Sequence, residues 1–267
     1  MNHPKATVII AVYKNIPFLD IVLQGLARQS CTDFEVIVAE DNDAKNMSDF
    51  VIAARKQYTF PIQHVSQPDN GFRKCAILNS AIRVSQADYL IFIDGDCIPH
   101  QHFVAAHVAS MQPNVAVYGR RVMLSEQLTN KLTSDRHLAK LTFLNLFRYR
   151  CQRLDAAWYL PFLPARHVAK TGIWGCNWSI HKSAMLAING FDEDYTAAGI
   201  GEDTDLEWRL QAIGVQLQYV KFRAIQYHLY HAPNYADTTA NEALLAQKKI
   251  KNQVKCPNGL RTMNDER

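Results

Sequence analysis

Five consecutive apolar or aromatic residues, Tyr89 to Ile93, run straight into Asp94-Gly95-Asp96. A strand with no alternating polar face must be covered on both sides. The run therefore predicts a central strand of a mostly parallel α/β sheet flanked by helices. Open sheets of this kind hold ligands in the crevice at the carboxyl ends of their strands. Two carboxylates there repel each other unless a cation or a donor relieves them. Oxygen ligands suit a hard divalent ion, Mg²⁺ or Mn²⁺, often shared with substrate phosphates. Asp-Gly is also a common turn dipeptide, and Asp-x-Asp recurs at 41/43, 192/194 and 203/205, so spacing alone does not separate an ion site from a turn.

The flanking sequence supports the sheet. Strands are predicted at Thr7–Val12, Phe34–Ala39 and Pro61–Val65, and helices at Pro17–Gln29, Ser48–Gln57, Arg73–Val84 and Gln101–Met111. Repeated β-α units imply a parallel sheet. Val115–Leu124 reads as one further strand, and 125–153 as a helical insertion. Beyond it come strands at Trp174–Ile180, Gln216–Phe222 and Ala224–Leu229, a short helix at Ser183–Ile188, and a helix opening at Glu202 and stopping at Gly214. Thr196 to Gly201 reads as a mobile loop, and the chain from Lys248 onward as a polar, frayed tail.

Composition narrows the function classes. No apolar run approaches the ~20 residues that cross a bilayer, and the N-terminal residues carry no signal-peptide pattern. Six cysteines without a C-x-x-C pair indicate neither a zinc site nor a disulfide framework, which fits a cytoplasmic address. The net charge of +4 is uneven: 120–170 holds ten Lys and Arg against Glu126, Asp135 and Asp155, leaving the remainder net acidic. With Phe143, Phe147, Tyr149, Trp158, Tyr159 and Phe162 nearby, this basic stretch suits either peripheral contact with an anionic membrane or a helical insertion packed on the core. Nothing points to nucleic acid.

Four features converge on strand ends. Ala11-Val12-Tyr13 offers an exposed aromatic on which a base could stack. Glu40-Asp41-Asn42-Asp43 supplies acceptors for a base N–H. Asp94-Gly95-Asp96 supplies carboxylates, and His228 and His231 add imidazoles, a mixed set that Mn²⁺ accepts more readily than Mg²⁺. Together they describe a nucleotide-diphosphate site. There is no P-loop and no Gly-x-Gly-x-x-Gly after the first strand, so side chains such as Arg73 and Lys74 must meet phosphate charge. Glu202 and Asp203 open a helix, where dipole capping alone could explain them.

The ordered series Thr7-Val-Ile-Ile-Ala-Val-Tyr-Lys, Glu40-Asp-Asn-Asp, Asn70-Gly-Phe-Arg-Lys, Leu78-Asn79, Asp94-Gly-Asp96, Gly190-Phe-Asp-Glu and Gly201-Glu-Asp-Thr-Asp resembles family 2 glycosyltransferases of the GT-A fold. Its second half also resembles the galactosyltransferase C-terminal region of chondroitin-polymerase-type enzymes. The resemblance implies one domain over 1–247, with a nucleotide-sugar half at 1–115 and an acceptor half at 116–247 carrying the insertion at about 125–170.

It further implies an inverting, metal-dependent enzyme that moves a sugar, usually from a UDP-sugar, to the hydroxyl of a glycan or lipid-linked glycan in surface polysaccharide or lipopolysaccharide synthesis. Ala11, Tyr13, Asp41, Arg73, Asp94, Gly95 and Asp96 match the nucleotide-sugar site. Asp96 and Asp94 match metal positions, completed by His228 or His231. Asp203 matches the general base with Glu202 beside it, and Trp174, Gly175 and Asn177 match the acceptor and donor-sugar pocket. Ala11 stands where a hydroxyl residue is usual, and Glu40 where the first of two aspartates is. The loop at 198–201 is expected to close over the donor. A nucleotidyltransferase and an inactive nucleotide-sugar-binding module remain the alternatives.

Overall fold

The computed structural model describes residues 3–165, 172–199, 202–232 and 237–261. In chain order its elements are β1 (Ala6–Val12), α1 (Ile16–Leu26), β2 (Phe34–Glu40), α2 (Lys45–Gln57), β3 (Ile62–Ser66), α3 (Lys74–Val84), β4 (Tyr89–Asp94), β5 (Cys97–Pro99), α4 (Phe103–Ala109), β6 (Val115–Tyr118) and β7 (Arg120–Met123). There follow α5 (Glu126–Asp135), α6 (Phe143–Arg148), β8 (Asn177–His181), α7 (Lys182–Ala187), α8 (Glu202–Ala212), β9 (Gln216–Tyr219), β10 (Ile225–His228) and α9 (Thr239–Ile250).

Seven strands form the main sheet in the order β3-β2-β1-β4-β8-β6-β9, and β5-β10-β7 form a second, smaller one. The β3-β2-β1-β4 pairs are all parallel, while β8 runs antiparallel to both β4 and β6. Alternation along the central strands loads both faces. Val8, Ile10, Val36, Val38, Ile91 and Ile93 pack with α1 and α2. Ile9, Ile37, Leu90 and Phe92 pack with α3, α7 and α8. Each large side chain buried this way contributes about 1.5–3 kcal/mol, which is why five-residue apolar strands suffice to fix the centre.

The stretch Val115–Leu124 is two strands, not one. Val115–Tyr118 lies in the main sheet and Arg120–Met123 in the small one, so the chain changes sheets at Gly119. A Cβ there would stand 2.6 Å from Asn177 Nδ2 and 2.8 Å from the Ala224 carbonyl oxygen, so only glycine fits the crossing. The apolar pattern hid the break because both strands are buried. The helical insertion is likewise broken into α5, α6 and two short 3₁₀ turns.

The C-terminal expectation also changes. Helix α9 crosses position 247, where the tail was predicted to begin, and Lys248 is buried between Asp192 and Asp194 (2.9 Å to the latter). Cys256 and Leu260 are buried as well, and Arg83 donates to the Gly259 and Leu260 carbonyls at 2.9 Å each. The segment is thus anchored at Cys256, Gly259 and Leu260 rather than frayed. A lysine reads as solvent-facing in sequence, and its two carboxylate partners lie more than fifty residues away. Positions 262–267 lie outside the described residues.

Candidate active site

The parallel strands β1, β2 and β4 end on one side, and their termini build the site. Gly95 N–H donates to the Ala11 carbonyl at 2.7 Å, and Asp41 N–H donates to the Val12 carbonyl at 3.0 Å. A Cβ on Gly95 would sit 3.1 Å from both Ala11 O and Val12 Cβ, so a side chain would push the turn after β4 away from β1 by a few tenths of an ångström.

On the β1–β2 side, the Tyr13 ring is 54% exposed, its hydroxyl donating to Asp69 Oδ2 at 3.2 Å. Lys14 pairs with the same oxygen at 2.5 Å and stands 4.6 Å from the ring centre. Asp41 accepts from Gln67 Nε2 at 2.6 Å and from the Arg73 backbone N–H at 2.8 Å, which ties the 67–73 loop to the end of β2. Arg73 serves here through its backbone, and its side-chain Nε is buried without a partner. Glu40 is covered by His64 at 2.9 Å, and burial raises its pKa despite that partner.

The two aspartates after β4 take different partners. Asp94 Oδ1 accepts from Lys74 Nζ at 2.8 Å, and Arg121 Nη1 stands 3.8 Å from Oδ2. Asp96 Oδ2 instead meets His228 Nε2 at 3.4 Å and His231 Nε2 at 3.2 Å. Strand pairing creates that triad: β10 runs antiparallel to β5 with His228 opposite Cys97, and Leu229 N–H donates to the Asp96 carbonyl at 2.8 Å.

The donor atoms of Asp96, His228 and His231 all lie within 4.8 Å of one another, which suits one divalent ion. The fit is also chemical. Burial alone would raise the Asp96 pKa, but the two imidazoles outweigh it and hold the carboxyl well below the usual range. Its hydrogen bond to Asp96 pushes His231 up to about 9. The cluster therefore attracts positive charge, and His228 Nδ1 is left without a partner. The structure joins both histidines, between which sequence could not choose, but leaves Asp94 out of their triad. Asp94 groups instead with Cys97 and Cys176, where Lys74 and Arg121 already meet its charge.

Across the cleft, α8 brings the second acidic pair. Glu202 Oε1 accepts from Lys74 Nζ at 2.7 Å, so one ammonium links the end of β4 to the start of α8. Burial raises the pKa of both Glu202 and Asp203, with Lys74 opposing in each case. Asp203 also accepts a backbone hydrogen bond from Gly175. A Cβ on Gly175 would come 2.7 Å from Glu202 Oε1, so a side chain here would displace that carboxylate. The Arg120 and Arg153 guanidinium groups stand 4.4 and 4.6 Å from the Trp174 ring centre.

Asn177 departs from the expectation that it lines the pocket. It is fully buried, donating from Nδ2 to the Arg120 and Ala224 carbonyls at 3.0 and 2.9 Å, with His107 Nε2 at 3.2 Å from its Oδ1. Its work is to fasten the crossing at Gly119. Leu78-Asn79 and Gly190-Phe191 are structural too, since Asn79 accepts from Phe191 N–H and donates to its carbonyl. Arg120, Arg121, Arg153, Gln67 and Asp69 escaped the sequence reading. Two adjacent arginines inside an apolar strand pattern were the available signal. Of the loop expected to close over the donor, residues 200 and 201 lie outside the described residues.

The profile of Glycosyl transferase family 2 matches residues 7–164, and one described as the N-terminal domain of galactosyltransferase matches 164–232. Validoxylamine A glucosyltransferase of Streptomyces hygroscopicus subsp. jinggangensis is 28% identical over 228 residues, covering 80% of this chain and 53% of that protein. Chondroitin synthase of Escherichia coli is 25% identical over 243 residues, covering 83% and 34% respectively. The chain thus spans about half or less of the length of these curated relatives.

Among solved structures, GalNAc-T7 with UDP, GalNAc and Mn²⁺ superposes with a TM-score of 0.66 at 12% identity, covering 92% of this chain and 48% of that one. The Pyrobaculum calidifontis mannosyltransferase PcManGT, in complex with GDP-Man and Mn²⁺, gives 0.61 at 16% identity, covering 94% and 65%. The shared fold is that of GT-A glycosyltransferases.

Proposed function

The chain belongs to Glycosyl transferase family 2, and from that membership we propose an inverting, metal-dependent transfer of a sugar from a UDP-sugar to an acceptor hydroxyl. One observation carries the reading: the turn after β4 joins the Asp96–His228–His231 triad to Asp94, and Lys74 bridges Asp94 to Glu202 of a second acidic pair. The first can hold the leaving group and the second can activate the acceptor.

Tyr13 offers its open ring to the base, and Asp41 stands beside it with acceptor oxygens. Asp96, His228 and His231 would hold the divalent ion, Mn²⁺ or Mg²⁺; Asp94 contributes through its charge and its grip on Lys74. Such an ion, when bound, neutralises charge growing on the departing diphosphate. Asp203 takes the proton of the acceptor hydroxyl as that oxygen bonds to the anomeric carbon and the carbon–diphosphate bond breaks on the opposite face. A carboxylate whose pKa is raised by burial is a stronger base for this step. Glu202, held by Lys74, positions the acceptor, and Trp174 with Gly175 lines its approach. We assign 1–115, completed by His228 and His231, to the donor and the rest of 116–247 to the acceptor.

The acceptor we favour is a glycan or lipid-linked glycan of a surface polysaccharide or lipopolysaccharide, made on the cytoplasmic side. Six free cysteines fit a reducing compartment. Incubation with a panel of nucleotide sugars, with and without Mn²⁺, tests the reaction. Release of UDP with a β-linked product from an α-linked donor supports it. Release of pyrophosphate, or retention of anomeric configuration, overturns it.

A further inference from the structure

Six of the fourteen large apolar side chains exposed among the described residues fall within one twenty-residue stretch: Phe143, Leu144, Phe147, Trp158, Tyr159 and Phe162. Scattered exposed apolar residues need no explanation, but a contiguous group marks an interaction surface. The two halves of the stretch meet where Phe143 and Trp158 stand 4.9 Å apart between ring centres, and Phe147 follows Phe143 by one turn of α6. Its members project rather than line a recess, with Leu144 73%, Phe147 66% and Phe162 77% exposed.

Charge selects the occupant. Arg148 and Arg150 stand exposed on the same segment, and neither pairs with a carboxylate among the described residues. The acidic residues nearby are already neutralised, Asp135 by Lys140 and Asp155 by Lys221. A protruding aromatic group beside unpaired arginines complements an anionic, amphipathic layer, where rings enter the headgroup boundary and guanidinium groups meet phosphates. Tyr159 extends this face toward His100 (5.1 Å), which borders a cleft of about 330 Å³ walled by Ile98, Pro99, Leu138 and Leu141. No helix among the described residues is long and apolar enough to cross a membrane, so the contact would be peripheral.

We propose that the face formed by 143–162 docks the protein on an anionic lipid bilayer. The position of the face gives the docking a purpose, and this part rests on the glycosyl-transfer reading above. Arg153, between α6 and Trp158, stacks on Trp174, whose neighbour Gly175 donates to Asp203. The surface that meets the lipid is therefore linked within two contacts to the acceptor side of the site, as a lipid-linked acceptor requires.

The test is co-sedimentation with vesicles of phosphatidylcholine alone or mixed with phosphatidylglycerol, using the wild type, Arg148→Glu/Arg150→Glu, and Phe147→Ser/Phe162→Ser. The wild type pellets with the anionic vesicles only, and each double variant binds about tenfold or more weakly. Binding of UDP with Mn²⁺, measured in parallel, stays unchanged in both variants, so failure of docking is separable from failure of the active-site reading. Equal recovery with neutral and anionic vesicles overturns the proposal, as does undiminished binding of the variants. Dimerisation in solution abolished by Phe147→Ser/Phe162→Ser, without vesicle binding, overturns it in favour of a second copy of this chain.

Discussion

Asp94-Gly95-Asp96 and Asp192-Glu193-Asp194 share one spacing and have opposite fates. At 94/96 the two carboxylates divide their partners, Asp94 going to Lys74 and Asp96 to the two imidazoles. At 192/194 a single ammonium, Lys248, answers both and is almost fully buried with Asp192. In each case the backbone fold after a packed element sets the carboxylates close together. What differs is the partner. An imidazole can give up its proton and become a ligand, whereas Lys248, its pKa held up against burial by two carboxylates, keeps its charge and closes the pair. Spacing makes a turn, and the residues brought from elsewhere decide whether it is a site or a rivet.

The comparison can be broken by exchanging the two kinds of effect. Variants of the site are expected to lose turnover and keep stability, and variants of the rivet the reverse. The largest effect is expected at Asp203, the proposed base. Asp203→Asn should lower transfer by about 10²–10⁴-fold with donor affinity retained, checked by turnover together with UDP titration. Loss of donor affinity at unchanged turnover would remove it as base. The wild-type rate should fall as pH drops through the raised Asp203 pKa, because the base must be ionised. Its acid limb should therefore lie above the ordinary aspartate value of about 3.9.

Next comes Lys248→Met, which leaves Asp192 buried without its counter-charge. Breaking a buried pair costs about 3–5 kcal/mol, read by urea unfolding, while UDP–Mn²⁺ binding of the folded fraction persists. Intact stability would show that the pair is not a rivet. Asn177→Ala sharpens the same line at smaller scale, stranding the Arg120 and Ala224 carbonyls at a cost of about 1–3 kcal/mol. A larger loss of donor or acceptor binding than of stability would return Asn177 to the pocket.

The same contrast explains what could be read in advance. The β1–β4 half was legible because parallel strands covered on both faces write themselves as apolar runs. Asp96, His228 and His231 could be nominated because metal chemistry restricts the residue types, although only the β5–β10 pairing brings them together. Asn177 was misplaced since a buried amide and a ligand-facing one look identical in sequence. The crossing at Gly119 was invisible because burial continued on both sides of it. Lys248 looked like tail because nothing local hints at partners on a turn following α7.

The central claim is that Asp96, His228 and His231 form a cation site serving a nucleotide diphosphate. Its most direct test is calorimetric titration of UDP into the wild type and into Asp96→Ala and His228→Ala/His231→Ala, each with and without Mn²⁺. The account predicts that Mn²⁺ strengthens UDP binding to the wild type and leaves both variants unaffected, with unfolding midpoints close to that of the wild type. Equal Mn²⁺ enhancement in all three proteins would contradict it.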